Sequence, residues 1–191
     1  TGFKTSDMPI LRSNDGGKTW NTASSGMVYF SGIANLGIDP RDSNTLYAII
    51  NPKYAGSYLR RGTSSGQWQT IPTPLKNAQI DTGMTIDGAT GALYVMAYDS
   101  RDAAKPRWQL WRSANANESD IGKITWEMIH DFGAGVSGTV LASGSSPQGL
   151  AIYARLSSAN CNPGAGIPCQ TLVQRSLDGG KTWATLDVPG F

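Results

Sequence analysis

The chain has 191 residues, of which 16% are charged, and its formal net charge at pH 7 is +2. Because the charge is so nearly balanced, the composition gives no electrostatic reason to expect nucleic acid or an anionic membrane as a partner, and no apolar run approaches the length of a membrane span. The length suffices for one sizeable core. The chain begins at Thr1 without the pattern of a signal peptide, so we expect it to be processed or to be part of something longer.

The first distinctive stretch runs from Ser13 to Trp20 and reads Ser-Asn-Asp-Gly-Gly-Lys-Thr-Trp. The Ser13 and Asp15 side chains can hydrogen-bond backbone N–H groups within a turn, and the two glycines can adopt positive φ. Thr19 and Trp20 are β-branched and aromatic, and such residues favour a strand. The stretch therefore predicts a tight connection between two antiparallel strands. Its Gly-Lys-Thr string does not indicate a nucleotide site, because the first glycine of a phosphate-binding loop is missing.

The same turn sequence returns almost unchanged at Ser176 to Trp183. Two degenerate copies end at Trp68 and Trp126. The four tryptophans recur at intervals of roughly fifty to sixty residues, which is typical of a structural repeat. The sequence therefore predicts four repeats.

The degenerate copies differ within the turn. In the copy from Leu59 to Trp68, Thr63 stands where the first copy has its aspartate, and in the copy ending at Trp126 a polar insertion lengthens the turn into a loop. Each copy places an arginine on the strand that leads into the turn: Arg12, Arg60, Arg112 and Arg175. We expect these arginines to take equivalent places in the packing of the repeats.

Two further segments recur before the last three turns. Apolar runs with a tyrosine, at 45–50, 92–97 and 150–154, predict buried strands. Short segments before them, at 33–39, 83–87 and 138–143, predict innermost strands that end in turns. A complete repeat thus has four strands, and the first repeat lacks its two inner ones.

The pattern Ser-x-Asp-x-Gly-x-Thr-Trp is similar to the Asp-box, or BNR, repeat of β-propellers such as sialidases, sortilin-type receptors, xyloglucan-degrading enzymes and photosystem assembly factors. The resemblance implies an all-β propeller of four-stranded antiparallel blades, of which this chain supplies about three and a half: residues 1–30 as a half blade with an Asp-box, then blades at 31–75, 76–132 and 133–191. The Asp-box residues that it implies, with a structural role, are Ser13, Asp15, Gly17, Thr19, Trp20, Ser176, Asp178, Gly180, Thr182 and Trp183. Since such an array leaves open edges, further blades are expected from the same precursor, a second chain or a homodimer.

The two cysteines, Cys161 and Cys169, flank a loop-like Asn-Pro-Gly-Ala-Gly-Ile-Pro segment. These surroundings favour a disulfide over two free thiols, and hence an extracellular or periplasmic location. Two sulfurs with the single histidine, His130, do not make a zinc set. We expect no metal and no cofactor.

A catalytic role would need paired acids. The sialidase resemblance would require an Arg-Ile-Pro motif, which the sequence does not contain. A glycosidase needs two carboxylates at a defined separation, and the candidates mostly adjoin Pro, Gly or Ser, where aspartate is a common turn residue; they are Asp39, Asp81, Asp87, Asp99 and Asp131. His130 has no nucleophile pattern around it, so we interpret it as a loop or surface residue.

Four aromatic residues, Tyr54, Tyr58, Tyr98 and Trp108, could stack on a sugar or contact a protein. We therefore expect a non-catalytic extracytoplasmic scaffold or recognition module that binds protein or glycan. The alternative is a fragment of a sialidase-like or xyloglucanase-like glycoside hydrolase whose catalytic residues lie mostly outside this chain. A photosystem-type assembly factor is a third and weaker interpretation.

Overall fold

The computed structural model describes residues 10–23, 32–50, 58–63, 67–75, 79–147, 149–158 and 170–187. Within them the chain forms fourteen β-strands and a short 3-10 turn at Ile121–Lys123. The strands are β1 (Leu11–Arg12), β2 (Asn21–Thr22), β3 (Ile33–Asp39), β4 (Asp42–Ile50), β5 (Tyr58–Thr63), β6 (Trp68–Thr70), β7 (Gln79–Ile86), β8 (Leu93–Asp99), β9 (Arg107–Ser113), β10 (Glu127–Ala134), β11 (Val136–Ser146), β12 (Gly149–Ser158), β13 (Thr171–Ser176) and β14 (Ala184–Leu186). No helix in these ranges is long and apolar enough to cross a membrane.

The strands form one hairpin and three sheets. The first hairpin is β1–β2, the first sheet is β3–β6, the second sheet is β7–β10 and the third sheet is β11–β14. In each sheet, neighbours in sequence are antiparallel neighbours in space. An all-β fold of antiparallel four-stranded sheets is thus confirmed.

The second strand of each sheet carries the core. Tyr47 and Ile49 of β4, Met96 of β8 and Ile152 of β12 are fully buried. Neighbouring layers cover both faces of β4 and β8, so their sequences are apolar runs rather than alternating patterns, whereas β12 is covered on one face. These are the runs from which the sequence predicted buried strands.

The register relates the three sheets to one another and corrects one prediction. The tyrosines of β8 and β12 pair with Arg112 and Arg175, whereas Tyr47 of β4 pairs with Arg61. Arg61, and not Arg60, is therefore the equivalent arginine of the first sheet. The sequence comparison missed this because the connection between β5 and β6 is one residue shorter than the turn that ends at Trp20.

Apolar clusters hold the layers together face to face. One cluster joins the first hairpin to the first sheet, through Ile10 and Ala23 against Ala48 and Trp68. A second lies between the first and second sheets, and a third between the second and third. The hairpin and the sheets thus stack in sequence order.

The first strands of the three sheets lie side by side, with β7 between β3 and β11. Asn35 Nδ2 of β3 donates to the carbonyl of Met84 in β7 at 3.4 Å, and Thr85 Oγ1 of β7 lies 2.6 Å from Ser143 Oγ of β11. All three strands run in the same direction, so corresponding loops of the three sheets emerge at the same end. We call the end where β8 ends and β9 begins the loop end.

Candidate functional site: an aromatic and charged patch at the loop end

The two turns that the sequence singled out lie at the opposite end of the sheets. In the N-terminal turn (residues 13–20), Ser13 Oγ accepts from Gly17 N at 2.7 Å and donates to Asp15 at 2.8 Å, while Asp15 accepts from Thr19 N at 2.9 Å and Thr19 Oγ1 at 2.6 Å. The hydroxyl and amide of Thr19, with the Ser13 hydroxyl, lower the pKa of Asp15 to about 2. Both carboxylate oxygens are thus engaged inside the turn.

The C-terminal turn (residues 176–183) repeats this network. Asp178 accepts from Thr182 N at 2.9 Å and Thr182 Oγ1 at 2.6 Å, and Ser176 Oγ accepts from Gly180 N at 2.8 Å. Both glycines of each turn have positive φ, which is costly for other residues. The hydrogen bonds from Thr182 lower the pKa of Asp178. The geometry of both turns is that of self-supporting connections, in which the carboxylates of Asp15 and Asp178 are hydrogen-bonded.

At the loop end, the second sheet presents two of the predicted ligand-facing aromatic residues as a pair. Tyr98 and Trp108 are register partners on β8 and β9. Their ring centroids lie 5.2 Å apart with a tilt of 47°. Both are half-buried, and Trp108 packs on the cluster between the second and third sheets. A pair held this way offers a pre-formed aromatic surface, which costs little conformational entropy on binding.

Two ion pairs lie at the same end of the second sheet, on residues that alternate with the aromatic pair along β8 and β9. Asp99 accepts from Arg101 Nε at 2.8 Å and Arg101 Nη2 at 2.7 Å, and Arg107 Nη1 donates to Asp131 at 2.7 Å. The hydrogen bonds from Arg101 lower the pKa of Asp99, and Asp99 in turn raises the pKa of Arg101. The Arg101 side chain remains 72% exposed. It is therefore held in one orientation while its outer surface faces solvent.

The buried side chain of Gln109 helps to hold Asp131 in place beneath this end of the sheet. Gln109 Nε2 donates to Asp131 at 3.3 Å, and Gln109 Oε1 accepts from Trp111 Nε1 at 3.3 Å. Asp131 also accepts from Gly133 N at 2.7 Å. Asp131 thus connects β9 to β10, and we define the loop-end patch as Tyr98, Asp99, Arg101, Arg107, Trp108 and Asp131.

Two further candidate acids, Asp39 and Asp87, are held by their own turns, and the side chain of Asp81 on β7 lies outside what the structure describes. Asp39, at the end of β3, is fully buried and accepts from Arg41 Nε and Nη2 and from the Tyr47 hydroxyl. Burial alone would raise the pKa of Asp39, but the hydrogen bonds and charge of Arg41 outweigh it and lower that pKa. Asp87 accepts from Ala89 N and from the Thr90 hydroxyl. None of these contacts brings two carboxylates together.

His130 is an aromatic packing residue in this structure. Its ring lies 4.7 Å from that of Phe132 and 5.6 Å from that of Trp183. Burial lowers the pKa of His130. A mostly neutral imidazole between aromatic rings fits a role in joining the second sheet to the third.

Several predicted residues cannot be placed in the patch. Tyr54, Cys161 and Cys169 lie outside the described residues. The backbone of Tyr58 begins β5 at the loop end of the first sheet, opposite Ile50. In the described part of the chain, no group of three His, Cys, Asp or Glu side chains is arranged to hold a metal ion.

Sequence reasoning missed Arg101 and Arg107 as members of the patch. One signal was present: an aspartate followed two residues later by an arginine occurs at Asp39 and again at Asp99. This spacing lets the arginine fold back on the carboxylate. Nothing comparable indicated the pairing of Arg107 with Asp131, which are far apart in sequence.

No family model matches this chain, and no curated protein matches it.

Proposed function

We propose that this chain is part of a β-propeller of the Asp-box type and acts as a non-catalytic, extracytoplasmic recognition module. Three antiparallel four-stranded meanders stacked face to face, with their first strands side by side, support the propeller interpretation. The self-contained turns at residues 13–20 and 176–183 support the Asp-box interpretation.

The observation that carries the recognition function is the loop-end patch. The Tyr98–Trp108 pair and Arg101, which is hydrogen-bonded to Asp99, lie at the same end of the second sheet. Aromatic faces bind the apolar faces of sugars, and a fixed guanidinium can donate to sugar hydroxyls or acidic groups. The patch therefore suits a glycan, with a peptide segment as the other outcome to be tested.

Saturation of the carboxylates supports binding over catalysis. A glycosidase acid and its partner need free access to one glycosidic bond. Asp39, Asp87, Asp99 and Asp131 instead each accept hydrogen bonds from neighbours in the sheet.

Titration with neutral and acidic oligosaccharides, followed by calorimetry, tests this function. We expect Trp108→Ala to weaken binding by about fivefold or more, because stacking of a sugar on an aromatic ring is worth at least about 1 kcal/mol. Met128→Ala, an exposed apolar residue on β10 outside the patch, is the matched control. Release of a fluorophore from a glycoside reporter would favour the hydrolase alternative, and binding of peptides without glycans would reassign the ligand.

A further inference from the structure

At the two junctions between sheets, the connection that precedes the fourth strand of one sheet sits on the preceding sheet. The C-terminal turn approaches the second sheet so closely that a Cβ on Gly180 would lie 2.7 Å from Ile129 Cγ2 and 3.2 Å from Leu110 Cδ2. The ring of Trp183 also packs 5.1 Å from that of Phe132. The turn is thus an interface element as well as a connection.

At the junction between the first and second sheets, the connection before the fourth strand again contacts the preceding sheet. Trp126 Nε1 donates to the carbonyl of Pro72 at 3.0 Å, and the buried Ala116 of the same loop accepts from Arg61 Nη1 at 2.9 Å. Arg61 comes from the preceding sheet and is the register partner of Tyr47. A tyrosine–arginine pair on one sheet therefore meets the loop of the next.

The N-terminal turn differs from the C-terminal turn at one residue, Asn14 in place of Leu177, and shares its central hydrogen bonds, yet nothing in the described residues covers it. A Cβ on Gly17 would meet only Trp20 of the same turn, and Trp20 is 59% exposed. By contrast, Trp68 donates to Ala23 O at 2.7 Å and is buried. Among the described residues, the N-terminal turn thus lacks the contact with a preceding sheet that the C-terminal turn makes.

Beside the first hairpin, β3 also exposes apolar side chains. Leu36 and Ile38 hold the register positions that Met84 and Ile86 hold in the second sheet. β3 covers Met84 and Ile86, and a Cβ on Gly37 would lie 2.7 Å from Ile86 Cδ1. Leu36 and Ile38 are 46% and 56% exposed. We call Trp20, Leu36 and Ile38 the leading side.

The outer face of the third sheet is the other end of the stack, and we call it the trailing side. Its Tyr153–Arg175 pair repeats the Tyr94–Arg112 pair that faces the C-terminal turn. Arg175 Nε is buried with no hydrogen-bond acceptor among the described residues. The equivalent Arg61 donates through Nη1 to the carbonyl of Ala116 in the loop of the next sheet, and the described residues place no such loop on the trailing side.

We propose that a second copy of this chain completes both sides, with the leading side of one copy docked head-to-tail on the trailing side of the other. The N-terminal turn of the second copy occupies the place that the C-terminal turn occupies on the second sheet, and its carbonyls accept from Arg175. We choose a second copy as the partner because the proposed interface repeats one that already joins the second and third sheets within the chain. This inference rests on the part of the proposed function that concerns the stacking of the sheets. It does not depend on which ligand the loop-end patch binds.

Sedimentation over a concentration series tests the association. We expect the native protein to reach twice the 20.3 kDa mass of one chain. Arg155, two residues after Tyr153 on β12, is exposed on the same trailing side. Trp20→Lys combined with Ile38→Lys should weaken association by more than about tenfold, because the lysines meet Arg155 and Arg175 of the other copy. Met128→Lys, which places the same charge on an exposed apolar site away from both sides, should not change the mass.

Mixing two variants tests the head-to-tail arrangement. A leading-side variant (Trp20→Lys with Ile38→Lys) and a trailing-side variant (Arg155→Glu) should each remain single chains, but together form a 1:1 pair through their intact sides. A trailing-side variant that still self-associates would overturn the arrangement in favour of two leading sides. A single-chain particle at every concentration, or a longer native chain that is monomeric, would overturn the proposal while leaving oligosaccharide binding unaffected.

Discussion

Two aspartate–arginine pairs with nearly the same local geometry have different surroundings. Asp39 and Asp99 each end a strand, and each accepts from the Nε and Nη2 of the arginine two residues later at 2.7–2.9 Å. Asp39 is fully buried and Arg41 is 33% exposed, whereas Asp99 is 11% and Arg101 72% exposed. The same short motif is therefore buried in one place and exposed in the other, and the presence of a neighbouring sheet accounts for the difference.

The buried pair joins two sheets. Arg41 Nη2 donates to the carbonyl of Gly91, in the turn between β7 and β8, at 3.1 Å, and Tyr47 donates its hydroxyl to Asp39 at 3.2 Å. The pair at the loop end makes no such contact with another sheet among the described residues. We therefore expect changes at Asp39 to act on stability and changes at Asp99 to act on binding.

The largest effect is expected from Arg41→Ala. Asp39 would remain fully buried without its cation, and breaking a buried pair from one side costs about 3 kcal/mol or more. Urea unfolding followed by tryptophan fluorescence measures this loss. A change no larger than that of an exposed substitution would show that Asp39 is hydrated in solution.

The next largest effect is expected at Gly91 of the second sheet, because Arg41 of the first sheet lies against it. Gly91 has a φ of +67°, and a Cβ there would lie 2.0 Å from Arg41 Nε. Gly91→Ala should therefore cost at least about 1–2 kcal/mol from the backbone alone, plus displacement of Arg41. Gly88→Ala in the same turn, where a Cβ has open space, is the matched control and should unfold like the native protein.

Acid should reduce the difference between the native protein and Arg41→Ala. The pKa of Asp39 is lowered in the folded protein from an ordinary value of 3.8, so this contribution is present above that value and is lost as pH falls through the folded pKa. Without Arg41, burial would raise the pKa of Asp39. The unfolding curves of the native protein and of Arg41→Ala should therefore differ at pH 7 and converge as the pH falls below 3.8 and through the folded pKa of Asp39. A difference between the two proteins that stays constant with pH would contradict the pairing.

The sequence could predict what depends on short stretches of chain. The turns at Ser13 and Ser176 and the buried strands around Tyr47 and Tyr94 depend on residues within about ten positions of one another, and local chemistry determines them. Burial of Asp39 depends on Gly91 of another sheet, and the pairing of Arg107 with Asp131 depends on the register of β9 and β10. Contacts of this kind leave no pattern in a short stretch of sequence. Neither the burial of Asp39 nor the pairing of Arg107 with Asp131 could therefore be predicted from the sequence.

A smaller effect is expected from Tyr47→Phe. The ring stays buried, and only the hydroxyl that donates to Asp39 is lost, which costs about 1 kcal/mol. Thermal unfolding of this variant can be compared with that of Tyr153→Phe, at the equivalent register position of the third sheet but away from Asp39. Equal losses in the two variants would mean that the contact with Asp39 contributes nothing specific.

The smallest effect on stability is expected from Arg101→Ala, because exposed ion pairs contribute little. Its melting temperature should match that of Lys105→Ala, an exposed cation in the same loop. Oligosaccharide affinity should nevertheless fall in Arg101→Ala and persist in Lys105→Ala, since Arg101, which Asp99 binds, belongs to the loop-end patch and Lys105 does not. If Arg101→Ala instead destabilised the protein as Arg41→Ala does, the two pairs would share a structural role, and the loop-end patch would lose the residue that distinguishes it as a binding surface.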